Sequence, residues 1–553
     1  MNLKIKVSFL KKIGADKLLE SMARFRSDDQ TVDIQADMLT EDQLDRLLAL
    51  AKGKDEGSRG LAMRINSYRN IRCSPAGKPI NRLEDLATAL RAYIEPSPNH
   101  WVIYDETDGN ALPLYVSNIQ YNPPRRDVAP HVDMDLCAVT RGKRDDKNVH
   151  FNKNDLGKTV VEILNEKGYY LETQAAVDTY WETIELYKRW ATGTGAQYHA
   201  FGTGYITGQW GYGYQETSME REGQPSTVVM DDGDEEGDDR RSHRGSEPVV
   251  STKFWERGAE KQKSMSEDGE ESEGGVIAVP VHPYVKIFDL QRHEFMKLHV
   301  SNLKPYEFDA TAAGKLVLPE TTKDLVVLLV KGSSEVMEDI VRGKTGGTIV
   351  ISTGPPGTGK TLTAEVFAEE IQRPLYVVQC SQLGTDEEKV EKQLSMVLTR
   401  ASRWKAILLI DEADVYVHER GTDIQQNAIV GVFLRVLEHY RGVLFLTSNR
   451  ATVIDDAIMS RATAWIRYEL PTPHELGKIW KVLSAQYDMK LDASLIDALV
   501  AKFPHISGRN VKNLIKLARM LLRAKQSKKA DLMLFEYVSK YLDLRRDEER
   551  GKN

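Results

Sequence analysis

The run GPPGTGKT, Gly354 to Thr361, limits what this chain can become more than any other stretch. It fits the pattern G-x-x-x-x-G-K-[ST] without deviation. The apolar run TIVIS, Thr348 to Ser352, stands just before it and reads as a buried strand. Behind it, Leu362, Val366, Phe367 and Ile371 recur at the spacing of one helix face. Strand, glycine loop and helix are the setting this motif needs. Glycines let the backbone curl until several N–H groups converge on one anion. The N-terminus of the following helix adds positive potential. Gly354, Pro355, Pro356, Gly357, Thr358, Gly359, Lys360 and Thr361 are therefore the expected phosphate cradle. Lys360 would bring a full charge to the β- and γ-phosphates of a nucleotide, and the Thr361 hydroxyl would ligate Mg²⁺.

The composition leaves room for more than this one module. A chain of 553 residues has length for roughly three or four domains. Apolar content of 41% and charged content of 28% are ordinary for a soluble globular protein. Cys73, Cys137 and Cys380 lie far apart with no CxxC pair, which argues against a disulfide framework or a zinc site and suits a reducing compartment. No apolar run approaches the roughly 20 residues of a membrane span. LVVLLV at Leu325 and AILLI at Ala406 are only strand- or core-length. The first residues carry no apolar signal core, so the expected location is cytoplasmic. A net charge of −7 gives the whole chain no general attraction for nucleic acid, although a local basic patch stays open.

Along the chain, residues 1–191 read as a mixed α+β region. Residues 192–275 begin with glycine mixed with aromatics, which suits a loop or inter-domain packing. They continue into the acidic runs MDDGDEEGDD and SEDGEESEGG, which suit a flexible linker or insertion. Residues 276–314 have strand composition and form a small β element. Residues 315–470 hold the nucleotide module, and 471–553 are helical with a charged tail. PHVDMD sets His131, Asp133 and Asp135 on one strand face. Metal ligands could sit so, but with no further His or Cys nearby a solvated edge is the simpler reading.

Four elements downstream of the loop add chemistry. In AILLIDEAD a buried strand ends in two carboxylates, where open α/β sheets place ligands. Asp411 is positioned to hold Mg²⁺, and Glu412 to orient and deprotonate water. In GVLFLTSNR, Asn449 follows a second buried strand. It can position the water or contact the γ-phosphate, or simply cap a helix. Arg461, in DDAIMSRATAW, could reach a neighbouring subunit's nucleotide. Arg509, in HISGRNVKNL, starts a helix and could contact phosphate. A surface arginine with a structural partner is the plain alternative for both.

Taken in order, GPPGTGKT, LLIDEAD, LTSNR, the MSR segment and the GRN segment resemble an AAA+ ATPase over about residues 315–530. They look like its phosphate loop, Mg²⁺ and base strand, sensor 1, arginine finger and sensor 2. More narrowly, RPLYVVQCSQLGT and ILLIDEADVYVHER resemble a group of mostly uncharacterised fungal and bacterial AAA-type ATPases. HPYVKIFDLQRHEFMKLHV resembles the end of their accessory domain. The resemblance implies an α/β fold: a P-loop core with a five-stranded parallel sheet, a helical lid, and a homo-oligomeric ring, usually a hexamer. It implies an ATP-hydrolysing mechanoenzyme remodelling a protein client. An ATP-dependent switch or scaffold is the first alternative, and a nucleic-acid-associated ATPase the second. One departure stands out. Protein-threading members carry an aromatic–hydrophobic–glycine step where this chain has Leu383-Gly384 without an aromatic. Tyr416 is a possible second pore-loop aromatic or a packed residue.

Overall fold

The computed structural model describes residues 2–231 and 279–542, apart from 16–17, 19–30, 52–60, 63, 67, 70–77, 106–110, 126–127, 141–142, 191–192, 208–213, 222, 333–346, 385, 420–423, 450–453 and 525–529. The Asp108-Gly109-Asn110 turn and nearly all of both acidic runs lie outside the described residues. Two compact units account for the chain. The first holds Met1–Thr194 and Tyr198–Pro305, and the second Gly195–Gln197 and Tyr306–Asn553.

The first unit is built on three sheets. A two-stranded antiparallel ribbon, β1 (Asn2–Lys6) with β2 (Thr31–Gln35), packs with the helix α1 (Glu41–Leu50) around Leu3, Ile5, Val32, Ile34, Leu44 and Leu47. Thr40 caps α1 reciprocally with Gln43, which satisfies two N–H groups the helix start would leave open.

The second sheet is antiparallel, in the order β6-β5-β4-β3-β7. Its strands are β3 (Trp101–Asp105), β4 (Ala111–Asn122), β5 (His131–Thr140), β6 (Lys143–Phe151) and β7 (Tyr169–Leu171). The helix α2 (Leu83–Ile94) covers one face. Val132, Met134 and Leu136 of β5 enter that core with Leu86 and Leu90, so His131, Asp133 and Asp135 stand on the opposite face.

The third sheet has eight strands and departs from the sequence reading. Gln197–Ala200 (β8), Thr203–Thr207 (β9), Tyr214–Ser218 (β10), Glu220–Arg221 (β11) and Gln224–Met230 (β12) join Tyr284–Asp289 (β13), Glu294–His299 (β14) and Leu303–Pro305 (β15). Residues 197–230 are thus largely sheet, where the glycines had suggested a loop or linker. Gly204 explains why: a Cβ there would come 2.8 Å from the Met219 sulfur. The glycine marks close packing inside a sheet, not a flexible turn. The expected β13–β14 hairpin is present, with Tyr284 paired to His299 and Asp289 to Glu294.

The second unit is α/β. All pairings in its five-stranded sheet are parallel, in the order β17-β18-β19-β16-β20. The strands are β16 (Thr348–Thr353), β17 (Leu375–Gln379), β18 (Ile407–Asp411), β19 (Val443–Ser448) and β20 (Ala464–Arg467). Helices cover both faces of such a sheet, so its strands are apolar without alternation. Val350, Ile351, Leu408, Leu409, Leu444 and Phe445 are all fully buried. LVVLLV, short enough for a strand, instead lies in the helix Glu320–Gly332. The main run of the unit starts at Tyr306. Tyr306 Oη and the Asp309 N–H donate to the two carboxylate oxygens of Glu369, at 2.6 and 2.7 Å.

The C-terminal helices Pro473–Gln486, Ala493–Lys502, Gly508–Ala524 and Leu532–Ser539 share a core of Leu476, Trp480, Leu499, Leu514, Ile515 and Phe535. Thr472 and Glu475 form a capping box, and Asp492 and Asp531 cap the second and fourth of these helices, each worth about 1 kcal/mol. Among the described residues no helix is long and apolar enough to cross a membrane.

Candidate active site

β16 lies between β19 and β20, and its carboxyl end opens into the glycine loop. The switch of winding direction beside it is where doubly wound sheets leave a crevice. Gly354, Gly357 and Gly359 have φ of +145°, +82° and +106°, a region that side chains rarely adopt. A Cβ on Gly354 would sit 2.1 Å from the Tyr468 carbonyl oxygen. A Cβ on Gly357 would sit 2.7 Å from the Arg509 Cβ. The loop therefore needs glycine both for curvature and for close approach. The Arg509 N–H donates to the Gly357 carbonyl at 3.3 Å, which joins the start of helix Gly508–Ala524 to the loop.

Lys360 opens the helix Lys360–Glu370, and Gly359 precedes it in the left-handed conformation. Its Nζ donates to the carbonyls of Gly354 and Pro355, both at 2.8 Å, and to Asn449 Oδ1 at 3.0 Å. Thr361 Oγ1 donates to Asp411 Oδ1 at 3.0 Å, and the Thr447 hydroxyl donates to the same oxygen. Glu412 follows with φ of +56°, and its N–H donates to Thr447 Oγ1 at 3.0 Å. A cavity of about 710 Å³ is lined by Thr358, Lys360, Asp411, Glu412, Asn449 and Arg509.

The sequence-predicted residues thus converge, with one exception. Arg461 does not line this cavity. Its Nη1 donates to the Ala457 carbonyl at 3.0 Å, and its Nη2 lies 3.8 Å from Glu438 Oε2. The residues around the cavity can hold a nucleotide and a divalent cation. A lysine and loop N–H groups suit phosphate, while a hydroxyl beside a carboxylate suits Mg²⁺. Glu412 is the free-standing carboxylate next to that pair in sequence.

Sequence reasoning passed over Thr447 and Asp414. Asp414 Oδ1 accepts the Ser448 hydroxyl at 2.5 Å and the Asn449 N–H at 3.2 Å, so it fixes the turn that carries Asn449. Both residues stood inside quoted motifs, as the last Asp of LLIDEAD and the Thr of LTSNR. Burial raises the Cys380 thiol to a pKa of about 12, helped by the charges of Asp414, Glu412 and Asp411.

The two pore-loop positions are packed. Leu383 is buried. Tyr416 is 1% exposed and stacks on Phe433 at 5.3 Å, and its hydroxyl donates to the Gly384 carbonyl at 2.7 Å.

Comparison with known proteins finds one family over this region. Residues 350–470 match the ATPase family associated with various cellular activities (AAA). An ATP-dependent zinc metalloprotease FtsH 3 of Sphaerobacter thermophilus is 29% identical over 37% of this chain and 46% of its own. A 26S proteasome regulatory subunit homolog of Methanothermobacter marburgensis is 27% identical over 35% of this chain and 55% of its own. A Fidgetin-like protein 1 of Drosophila melanogaster is 30% identical over 31% of this chain and 35% of its own. The chain spans about half the length of the first of these relatives, or less.

Proposed function

Residues 350–470 of this chain are an AAA+ ATPase domain, and on that premise we propose that the protein hydrolyses ATP with Mg²⁺ to remodel a protein client, as a homo-oligomeric ring, most simply a hexamer. The observation that carries the reading is the convergence of Lys360, Asn449, Thr361 and Asp411 through hydrogen bonds of 3.0 Å or less at one cavity. In this reading Lys360 and the loop N–H groups hold the phosphates. Thr361 and Asp411 hold Mg²⁺, whose charge would offset that developing on the phosphates. Glu412 takes the proton of the attacking water, and Asn449 orients that water. Arg509 contacts phosphate from the lid side of the cavity, and Arg461 acts on a neighbouring subunit's nucleotide.

The protein client is supported by the relatives, whose names point to proteolysis and to the proteasome. Proteolysis itself is not proposed for these residues, since the sequence has no H-E-x-x-H. The packing of Leu383 and Tyr416 favours remodelling without an aromatic grip, or the related reading of an ATP-driven switch. Turnover of the purified chain separates the readings. Stimulation by an unfolded protein supports remodelling. Stimulation by DNA or RNA with steep salt dependence would replace it with the nucleic-acid reading, and indifference to both would favour the switch. Glu412→Gln should lower turnover by about a hundredfold or more while ATP binding persists. Normal turnover in that variant would remove the assignment of the base.

A further inference from the structure

The polar face of the second sheet in the first unit carries a cluster unrelated to the ATPase chemistry. Asp133 of β5 is paired directly across the sheet with His150 of β6, and His131 lies two residues before Asp133 on the same face. Asp133 Oδ1 is 2.5 Å from His150 Nδ1, and its Oδ2 is 3.5 Å from His131 Nε2. One ligand atom from each of the three residues lies within 4.8 Å of the others.

The His131 ring is oriented by its surroundings. Its Nδ1 is 2.9 Å from the Ala129 carbonyl oxygen, which leaves Nε2 turned towards the Asp133 carboxylate. An imidazole whose second nitrogen donates to a backbone carbonyl is also the usual outer support of a metal-ligating histidine. Asp133 is held as well: Asn122 Nδ2 donates to its Oδ2 at 2.8 Å, from the strand on the other side. The set is two imidazoles and one carboxylate.

The geometry points to a divalent transition-metal site formed by His131 Nε2, the Asp133 carboxylate and His150 Nδ1. Nitrogen-rich ligands of this kind select Zn²⁺, Co²⁺ or Ni²⁺ over Mg²⁺ or Ca²⁺. Ligand bonds of about 2.0–2.2 Å need the Asp133–His150 pair to spread and the three donors to settle around one centre. His150 is 66% exposed, so the remaining coordination positions open to water. The site is independent of the proposed ATPase function.

Calorimetric titration of the metal-stripped full chain with ZnCl₂, in excess Mg²⁺, tests this. The wild type should bind one equivalent that His131→Ala, Asp133→Asn and His150→Ala each weaken at least tenfold. Asn122→Ala should weaken it by about tenfold, as loss of an outer partner does. Asp135→Asn, one step along the same face, should leave it intact. Circular dichroism checks each fold, and the exposed His150 gives a variant with little structural risk. An affinity unchanged by His150→Ala, or weakened equally by Asp135→Asn, would overturn the site. So would a wild type that binds no more zinc than a chain carrying His131→Ala, Asp133→Asn and His150→Ala together.

Discussion

The Glu412 N–H donates to the Thr447 hydroxyl oxygen at 3.0 Å, tying the end of β18 to the end of β19. The same hydroxyl donates to Asp411, so one side chain holds the Asp411 carboxylate and the Glu412 backbone together. Glu412 needs such a tether because its φ of +56° is costly for a residue with a side chain.

Replacing Thr447 by valine keeps the branched shape and removes both hydrogen bonds. The Glu412 N–H then loses its partner, at about 1–3 kcal/mol, while the Asp411 oxygen keeps only Thr361. Thr447→Val should lower ATP turnover by on the order of tenfold or more with little change in nucleotide affinity. Thr447→Ser should restore most of the rate because it keeps the hydroxyl. Equal turnover in the valine and serine variants would show that the tether does not matter to the reaction.

The glycines of the loop should differ in cost. Gly354→Ala sets a methyl 2.1 Å from the Tyr468 carbonyl oxygen, and Gly357→Ala sets one 2.7 Å from the Arg509 Cβ. At Gly359 nothing lies within 4 Å of the added methyl, so only the backbone conformation resists it. That strain alone is on the order of 1–3 kcal/mol. Thermal unfolding and nucleotide binding should therefore rank the damage Gly354→Ala, then Gly357→Ala, then Gly359→Ala. The reverse ranking would mean that the loop relaxes away from Tyr468.

Cys380 should be chemically quiet. Its ordinary thiol pKa of 9.0 is raised to about 12, first by burial and then by Asp414, Glu412 and Asp411. The neutral thiol is the favoured form in the fold, and the thiolate appears only as the pH climbs towards 12. At pH 8 the thiolate fraction falls by roughly a thousandfold relative to an unfolded chain, and alkylation follows the thiolate. Mass spectrometry of the Cys380 peptide after iodoacetamide treatment should show slow labelling in the native protein and fast labelling in urea. Comparable rates in the two conditions would contradict the environment described for this thiol.

What could be read in advance followed from burial. β16, β18 and β19 each carry an unbroken apolar run because helices cover both faces of their sheet, so TIVIS, ILLI and VLFL read as buried strands. The eight-stranded sheet was hidden because its glycines serve close packing, as at Gly204, and a glycine in sequence looks the same in a loop. The partnership of Asp133 with His150 was hidden for a different reason. The two stand 17 residues apart on adjacent strands, and only the register brings them face to face. In the nucleotide site the residues that face the cavity were legible by type. The residues that hold them, Thr447 and Asp414, were not, because a hydroxyl or carboxylate that acts through a neighbour leaves no spacing signature.

Arg461 offers the sharpest separation between a structural and an inter-subunit role. It is tied loosely, by Nη1 to the Ala457 carbonyl and by Nη2 at 3.8 Å to Glu438. Its side chain is 36% exposed, so the pair with Glu438 contributes little to stability. Arg461→Ala should change the melting temperature by only a few degrees. If the arginine acts on a neighbour's ATP, the same variant should lose about a thousandfold in turnover while binding nucleotide normally. Mixing then decides the matter. A Lys360→Ala subunit has a crippled loop but an intact Arg461, and an Arg461→Ala subunit has the opposite defect. Mixed assemblies should recover part of the wild-type rate, because some sites then combine an intact loop with a neighbour's arginine. A rate that stays at the level of the separate variants at every mixing ratio would leave Arg461 with a role inside its own subunit only.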